Sequence, residues 1–121
     1  MPRTKAGLSK NGKRLGRPPA AAKQEASPEV EAAIDAILDQ RGMRYGSFVG
    51  QAEISQSFKK VLYHYLVARD KNLAPDMTEA LDMILHKIAR IVNGDQFYAD
   101  SWMDIAGYAK LVGDRLEGKT R

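Results

Sequence analysis

Four carboxylates in the C-terminal half fall into two pairs at helical spacing. Glu79 and Asp82 are three residues apart, and Asp100 and Asp104 are four apart. Such spacings put both members of a pair on one side of a helix. Carboxylates on adjacent helices supply the oxygen ligands that Mg²⁺ prefers, and the ion keeps waters for substrate phosphates. The pattern predicts a magnesium site formed by these four residues.

Two cations and two tyrosines accompany the acidic pairs. Lys87 and Arg90 follow the first pair on the same predicted helix, and arginine binds phosphate oxygens through two parallel hydrogen bonds. Tyr45 and Tyr108 are candidates for contact with a base or a ribose. We therefore predict a phosphate-binding site at Lys87, Arg90, Tyr45 and Tyr108. The alternative is structural: Asp104 accepts a hydrogen bond from Lys87 or Arg90, and the acids are ion-pair partners and helix caps.

The sequence contains no motif that would identify a catalytic residue. It has no Walker loop, dinucleotide fingerprint, HExxH or Ser-His-Asp arrangement. It also has no cysteine, which excludes disulfides, thiolate zinc sites and thiol nucleophiles. Catalytic residues are therefore unknown, and any metal in the protein is held by oxygen or nitrogen.

Apolar residues recur at helical spacing, and no segment alternates as a strand does. The chain is therefore predicted to be all-α, a small four-helix bundle-like domain over residues 27–118 with a short tail at 119–121. The turn and cap residues predict helices that run from Ser27 to Gly42, from about 52 to 68, from Asp76 to Asn93, and from about 100 to Gly118.

The last two helices are predicted to form an αα-hairpin. Gly94 is suited to a left-handed position after the third helix, and Asp100 to capping the fourth. Trp102 opens a stripe of apolar residues that is predicted to face the core and that continues to Leu116.

A homo-oligomer is expected, because four short helices give only a modest core. Three small residues of the last helix, Ala106, Ala109 and Gly113, allow a neighbouring helix to approach closely. No apolar run reaches the roughly 18 residues of a membrane span, so no membrane partner is expected.

The basic charge of the chain lies in its N-terminal arm. Residues 1–25 hold seven basic residues and one acid, a charge of +6, and the remainder holds twelve basic and fourteen acidic residues, a charge of −2. With few large aliphatics, residues 1–26 are predicted to be disordered. Within them the sequence Gly16-Arg17-Pro18-Pro19 resembles an AT-hook, which reads the A·T minor groove. This resemblance predicts DNA contacts from Lys13, Arg14, Gly16, Arg17 and Pro18, against the alternative of a solvated tail.

The segment from Lys87 to Ala109, with Asn93-Gly94-Asp95 and the stretch DSWMDIAGYA (100–109), resembles a family of small tailed-bacteriophage proteins of unknown function. The upstream Arg44-Tyr45-Gly46 belongs to the same pattern. More remotely, the chain is similar to domains linked to phage nucleotide modification and to the MazG and dUTPase-like all-α nucleoside triphosphate pyrophosphohydrolases. That resemblance implies Mg²⁺ held by acidic pairs, oligomers, and work in the cytoplasm of an infected bacterium. The spacing of Asp100 and Asp104 is one residue longer than in the family's ExxD.

Three functions follow from this reading. The first is a nucleotide-handling phage protein, with Mg²⁺-dependent pyrophosphate release as its enzymatic form. The second is a non-catalytic binder that sequesters a nucleotide or contacts a host protein to counter host defence. The third is a DNA-associated accessory protein that acts through the arm.

Overall fold

The computed structural model describes residues 27–119 and 121, which form four α-helices and, among these residues, no strand. The helices are α1 (Pro28–Tyr45), α2 (Phe48–Ala68), α3 (Pro75–Asn93) and α4 (Ala99–Leu116). The prediction of an all-α fold with four helices is confirmed.

The chain divides into two compact units, Met1–Ala33 and Ile34–Arg121. Of the first unit the structure describes only the beginning of α1. The arm, including the predicted DNA-binding residues Lys13, Arg14, Gly16, Arg17 and Pro18, lies outside the described residues.

The boundary between α1 and α2 differs from the prediction. The first helix continues through Gly42 to Tyr45, because a glycine in a helix costs only about 1 kcal/mol and does not by itself end it. The second begins at Phe48, and the Ser47 hydroxyl caps it by accepting a hydrogen bond from the Gly50 amide at 3.0 Å. Between them Gly46 has a φ of +75°, a conformation that glycine adopts without strain.

The first residues of α3 and α4 also differ from the prediction. Pro75 is the first residue of α3, after an Ala74 that makes no side-chain cap, so Asp76 is not the cap. Asp76 instead accepts two hydrogen bonds from the Arg115 guanidinium. In α4 the cap position is Tyr98, and Asp100 lies in the first turn.

Gly94 ends α3 for a different reason from the predicted one. Its backbone has φ −141° and ψ −138° and is not left-handed. A side chain at this position would overlap the backbone of Arg44 and Tyr45. The Asp95 amide also donates to the Arg44 carbonyl oxygen, so the α3–α4 connection lies directly against the end of α1.

Within the described residues α3 packs against both α2 and α4, while α2 and α4 do not pack against each other. The predicted αα-hairpin is therefore present, and the three helices form one layer with α3 in the middle. The apolar residues buried in this layer are only Ala80 and Ala89. The predicted core stripe of α4 is wrong at both ends, because Trp102 is 55% and Leu116 60% exposed. The described part of the chain contains no helix with the length and apolar character needed to cross a membrane.

Candidate functional site

A cavity of about 520 Å³ opens where α1 ends and α2 begins, a volume typical of small-molecule sites. Two cations, two aromatic rings and a buried amide account for its chemistry. No acidic side chain lines it. The lining residues are Leu38, Arg41, Gly42, Tyr45, Gly46, Ser47, Phe48, Gln51 and Arg90.

One side chain of α3 fixes the turn that forms the cavity wall. The Asn93 amide nitrogen donates to the carbonyl oxygens of Tyr45, at 2.7 Å, and Ser47, at 2.8 Å. A Cβ on Gly46 would overlap Asn93, so the close approach requires glycine as much as the positive φ does. The turn therefore sets where Tyr45 and Phe48 stand.

Arg90 reaches the same cavity from α3. Its guanidinium carbon lies 4.1 Å from the centre of the Tyr45 ring, a cation–π contact. Its Nε is fully enclosed and has no hydrogen-bond partner. Among the described residues, neither Arg90 nor Arg41 forms an ion pair. The cavity thus holds two guanidinium groups whose charge no carboxylate of the described chain balances.

A second cation–aromatic pair supports Tyr45 from behind. The Tyr45 and Tyr98 rings meet edge to face, with centres 6.1 Å apart. Arg44 lies over the Tyr98 ring and donates to its hydroxyl at 2.9 Å, and that hydroxyl donates to Asp100. The hydrogen bond to Asp100 raises the pKa of the Tyr98 hydroxyl. Arg44 is therefore occupied by Tyr98 and is absent from the cavity lining.

A buried amide lies beside the guanidinium groups. Gln51 is only 4% exposed, and its amide nitrogen lies 3.2 and 3.3 Å from the two ring nitrogens of His86. Burial lowers the pKa of His86, and the positive charges of Arg90, Lys87 and Lys59 lower it further. A neutral imidazole at this position adds no charge of its own to the two arginines.

The start of α2 contributes to the field in the cavity. The helix is 21 residues long, and its first turn holds no acidic residue. The positive end of its dipole is therefore not offset by a carboxylate there. Backbone amides at such a helix start stabilise an anion, which adds to the attraction of the two arginines.

The structure brings together two of the four residues predicted to bind phosphate. Arg90 and Tyr45 are in contact in this cavity. Lys87 is not, because its ammonium pairs with Asp104 at 2.9 Å. Tyr108 lines two other cavities, of about 440 and 430 Å³, on the α4 side of the layer.

Sequence reasoning missed Arg41, Phe48 and Gln51. Arg41 lies one helical turn before Tyr45, so the two share a side of α1. That spacing is a usable signal, but it is hidden if α1 is taken to end at Gly42. Phe48 and Gln51 were missed because α2 was taken to begin after them.

Three of the four predicted magnesium ligands are engaged in separate contacts. Asp82 accepts a hydrogen bond from the Tyr63 hydroxyl at 2.5 Å, which raises the pKa of Tyr63. Asp100 accepts from Tyr98, and Asp104 pairs with Lys87. The described residues contain no group of three or more His, Cys, Asp or Glu side chains that suits a metal ion. Within the described residues of one chain, the structure therefore does not bring Glu79, Asp82, Asp100 and Asp104 together as one group.

A family model described as a domain of unknown function, DUF6378, matches residues 30–116. The chain belongs to this family. No curated protein and no solved structure matches the chain. The DUF6378 domain contains every residue that lines the cavity and leaves out the basic arm.

Proposed function

We propose that this DUF6378 protein binds a nucleotide, or another ligand with a phosphate group, in the cavity at the start of α2, without a metal ion. The observation that carries the proposal is the pair of unpaired guanidinium groups, Arg41 and Arg90, in a cavity without an acidic side chain. Each guanidinium offers five N–H donors and keeps its charge at any physiological pH. An anion with several oxygens is the ligand that such a pair stabilises most.

The aromatic rings favour a nucleotide over a bare anion. Phe48 lines the cavity and is 75% exposed, so the face of its ring is open to a ligand. Bases stack on aromatic rings with little dependence on the base. We assign the phosphates to the arginines and the base to Phe48, and Tyr45 holds Arg90 through its ring face.

Binding is better supported than hydrolysis. The cavity offers charge, hydrogen-bond donors and stacking surface, but no carboxylate or neutral base directed at a ligand. Three of the four carboxylates predicted to hold Mg²⁺ are engaged in separate contacts. The proposed activity is therefore sequestration or delivery of the ligand.

Thermal unfolding against a ligand panel tests the proposal. The panel holds inorganic phosphate, AMP, ADP, ATP and cyclic dinucleotides, each with Mg²⁺ and with a chelator. A ligand at about 100 times its dissociation constant adds about 2.7 kcal/mol, which raises Tm by several degrees in a domain of this size. We expect a rise for at least one nucleotide that survives chelation. A rise that needs Mg²⁺, or none for any compound, would contradict metal-free binding.

Two arginine variants show whether the ligand uses this cavity. Arg41→Gln removes an exposed cation and should leave the unfolding of the free protein unchanged, whereas Arg90→Gln also loses the Tyr45 contact. With either variant, the ligand concentration needed for the same rise in Tm should increase at least tenfold. Arg69→Gln is the matched control, because Arg69 also lies over a tyrosine ring, Tyr65, but outside the cavity. Equal loss in the control would rule out the site.

The biological setting belongs to the same proposal. The resemblance of the hairpin to small phage proteins supports a role in the cytoplasm of an infected bacterium, where a nucleotide-sequestering protein counters a signal of the host. Contact of the arm with DNA stays a prediction from sequence, and salt-sensitive duplex binding that is lost on removal of residues 1–25 would confirm it.

A further inference from the structure

The layer of α2, α3 and α4 has no second layer over one of its faces. A domain buries its apolar side chains between two packed layers. Here the buried apolar residues are two alanines, and no large side chain of the described residues is fully buried. The apolar residues of the sequence must therefore be covered by something beyond this single layer.

The contacts of α3 with its two neighbours show which of its residues lie on the uncovered side of the layer. Its flank toward α2 is marked by the contact of Asp82 with Tyr63, and its flank toward α4 by the pair of Lys87 with Asp104. At 100° per residue, a stripe of four aliphatic residues lies on the opposite side of the helix from these contacts. The stripe consists of Leu81, Leu85, Ile88 and Val92.

The neighbouring helices continue the stripe on the same side. On α2, Phe58, Val61 and Tyr65 lie on the flank away from Tyr63, and the last two are more than half exposed. On α4, Trp102, Ala109 and Leu116 lie on the flank away from Asp104, and all three are exposed. The three stripes together are called the uncharged face, since none of their own residues is ionisable near neutral pH. One cation lies beside it, because the Arg69 guanidinium sits over the Tyr65 ring just after the end of α2.

The size of the uncharged face matches a protein–protein interface. Helices of 18 to 21 residues are about 27–31 Å long, and three of them at a spacing of about 9 Å cover roughly 700–800 Å². A stable complex of standard size buries about 800 Å² on each partner. One partner of the same extent is thus sufficient to complete the core.

We propose that the occupant is a second copy of this chain, which stacks its own uncharged face on this one to form a two-layer, six-helix dimer. A symmetric dimer places the same surface on itself, and the residues of the uncharged face bring no like-charge repulsion when it does so. The neighbouring cation, Arg69, lies beyond the end of α2. Residues 27–119 also bury no large apolar side chain fully, so a partner that completes the core must be present whenever the chain folds. A second copy meets that condition.

The dimer leaves the ligand cavity accessible. Arg90 lies on the side of α3 opposite the uncharged face, as Lys87 does. Failure of dimer formation and failure of ligand binding are therefore separate results, each with its own variants.

Sedimentation velocity of the full chain tests the proposal. We expect a mass of twice the 13.4 kDa of one chain. Ala109→Glu places a charge at the centre of the α4 stripe, at a position that is exposed in the single chain, and should give 13.4 kDa species or prevent folding. Ala36→Glu, an exposed helical alanine on α1, is the matched control and should keep the wild-type mass.

A second measurement keeps the test decisive if Ala109→Glu does not fold. The Tm of a dimer that folds on association rises with protomer concentration, so tenfold dilution of the wild type should lower Tm by a few degrees. A wild-type mass of 13.4 kDa with a constant Tm would overturn the proposal, because the chain's own α1 or another partner then covers the face. A dimeric Ala109→Glu variant would overturn it as well, because a different surface then joins the copies.

Discussion

The Lys87 ammonium lies 2.9 Å from the Asp104 carboxylate, and this ion pair crosses the α3–α4 hairpin between the two positions where sequence reasoning placed a metal and a phosphate. The Lys87 side chain is 13% exposed and the Asp104 side chain 47%. The pair is therefore asymmetric, because the lysine depends on its partner and the aspartate remains hydrated without it.

That asymmetry predicts unequal effects of removing either partner. Asp104→Asn leaves a nearly buried ammonium without a counter-charge and should lower the free energy of unfolding by about 1–2 kcal/mol. Lys87→Met should cost less than about 1 kcal/mol, since the remaining carboxylate is solvated. Denaturant unfolding measures both. Lys119→Met, which removes an exposed pair with Glu117 at 3.8 Å, is the control and should change stability by less than about 0.5 kcal/mol. Equal effects of the two substitutions would contradict the asymmetry.

A pair of glycine substitutions tests the contact between the hairpin loop and the end of α1. Gly94→Ala should destabilise by about 1–3 kcal/mol, because the new Cβ overlaps the Arg44 and Tyr45 backbone. Gly107→Ala should stabilise by about 0.5–1 kcal/mol, because that helical glycine has no atom within 4 Å of the added carbon. Unfolding in urea gives both values. A neutral Gly94→Ala would show that the loop can move away from α1.

The helices were predictable because apolar spacing is set locally, and the turn residues Pro75, Gly94 and Ser27 lie close to the observed ends. The side of α4 that faces the core was not predictable. A helical wheel gives the order of residues around the helix axis, but it does not show which side meets the neighbouring helix. Trp102 was assigned to the core from its helical spacing, yet the neighbouring position, the small Ser101, is the buried one. Hydrophobic stripes in a single layer predict contact with a partner as readily as contact within the chain.

The site was half predictable for a related reason. Arg90 was identified from its residue type, and Tyr45 from its place beside a glycine. The pairing of Lys87 with Asp104 depends on the rotation of two helices about their axes, which the sequence pattern leaves open. Arg41 and Phe48 could be recognised only from the true end of α1 and the true start of α2. The turn between these helices is held by hydrogen bonds from Asn93 to Tyr45 and Ser47, which lie 48 and 46 positions earlier in the sequence.

His86 predicts a loss of stability in mild acid. Burial, with Arg90, Lys87 and Lys59, lowers its pKa in the folded protein below the 6.5 of an unfolded chain. As pH falls below about 6.5 the unfolded chain takes up a proton before the folded one does, so stability falls with pH in that range. The chain has two histidines, and in a His64→Gln background His86 is the only one left. Unfolding free energies between pH 5.5 and 7.5 should decline toward acid in that background and become flatter when His86→Gln is added. An unchanged slope would contradict the burial of a neutral imidazole.

Phe48 separates a nucleotide site from a simple phosphate site. Because the ring is 75% exposed, Phe48→Ala should leave the unfolding temperature of the free protein nearly unchanged. Loss of base stacking should weaken nucleotide binding by about 1–3 kcal/mol, roughly 5- to 150-fold in Kd. Inorganic phosphate, which touches only the arginines, should bind as it does to the wild type. Titration calorimetry with both compounds measures the difference. The control is Phe97→Ala, which removes an equally exposed ring from the α3–α4 loop, outside the cavity lining. If Phe48→Ala weakens phosphate and nucleotide alike, the ring shapes the cavity and does not stack on the base, and if it weakens neither, the base lies elsewhere.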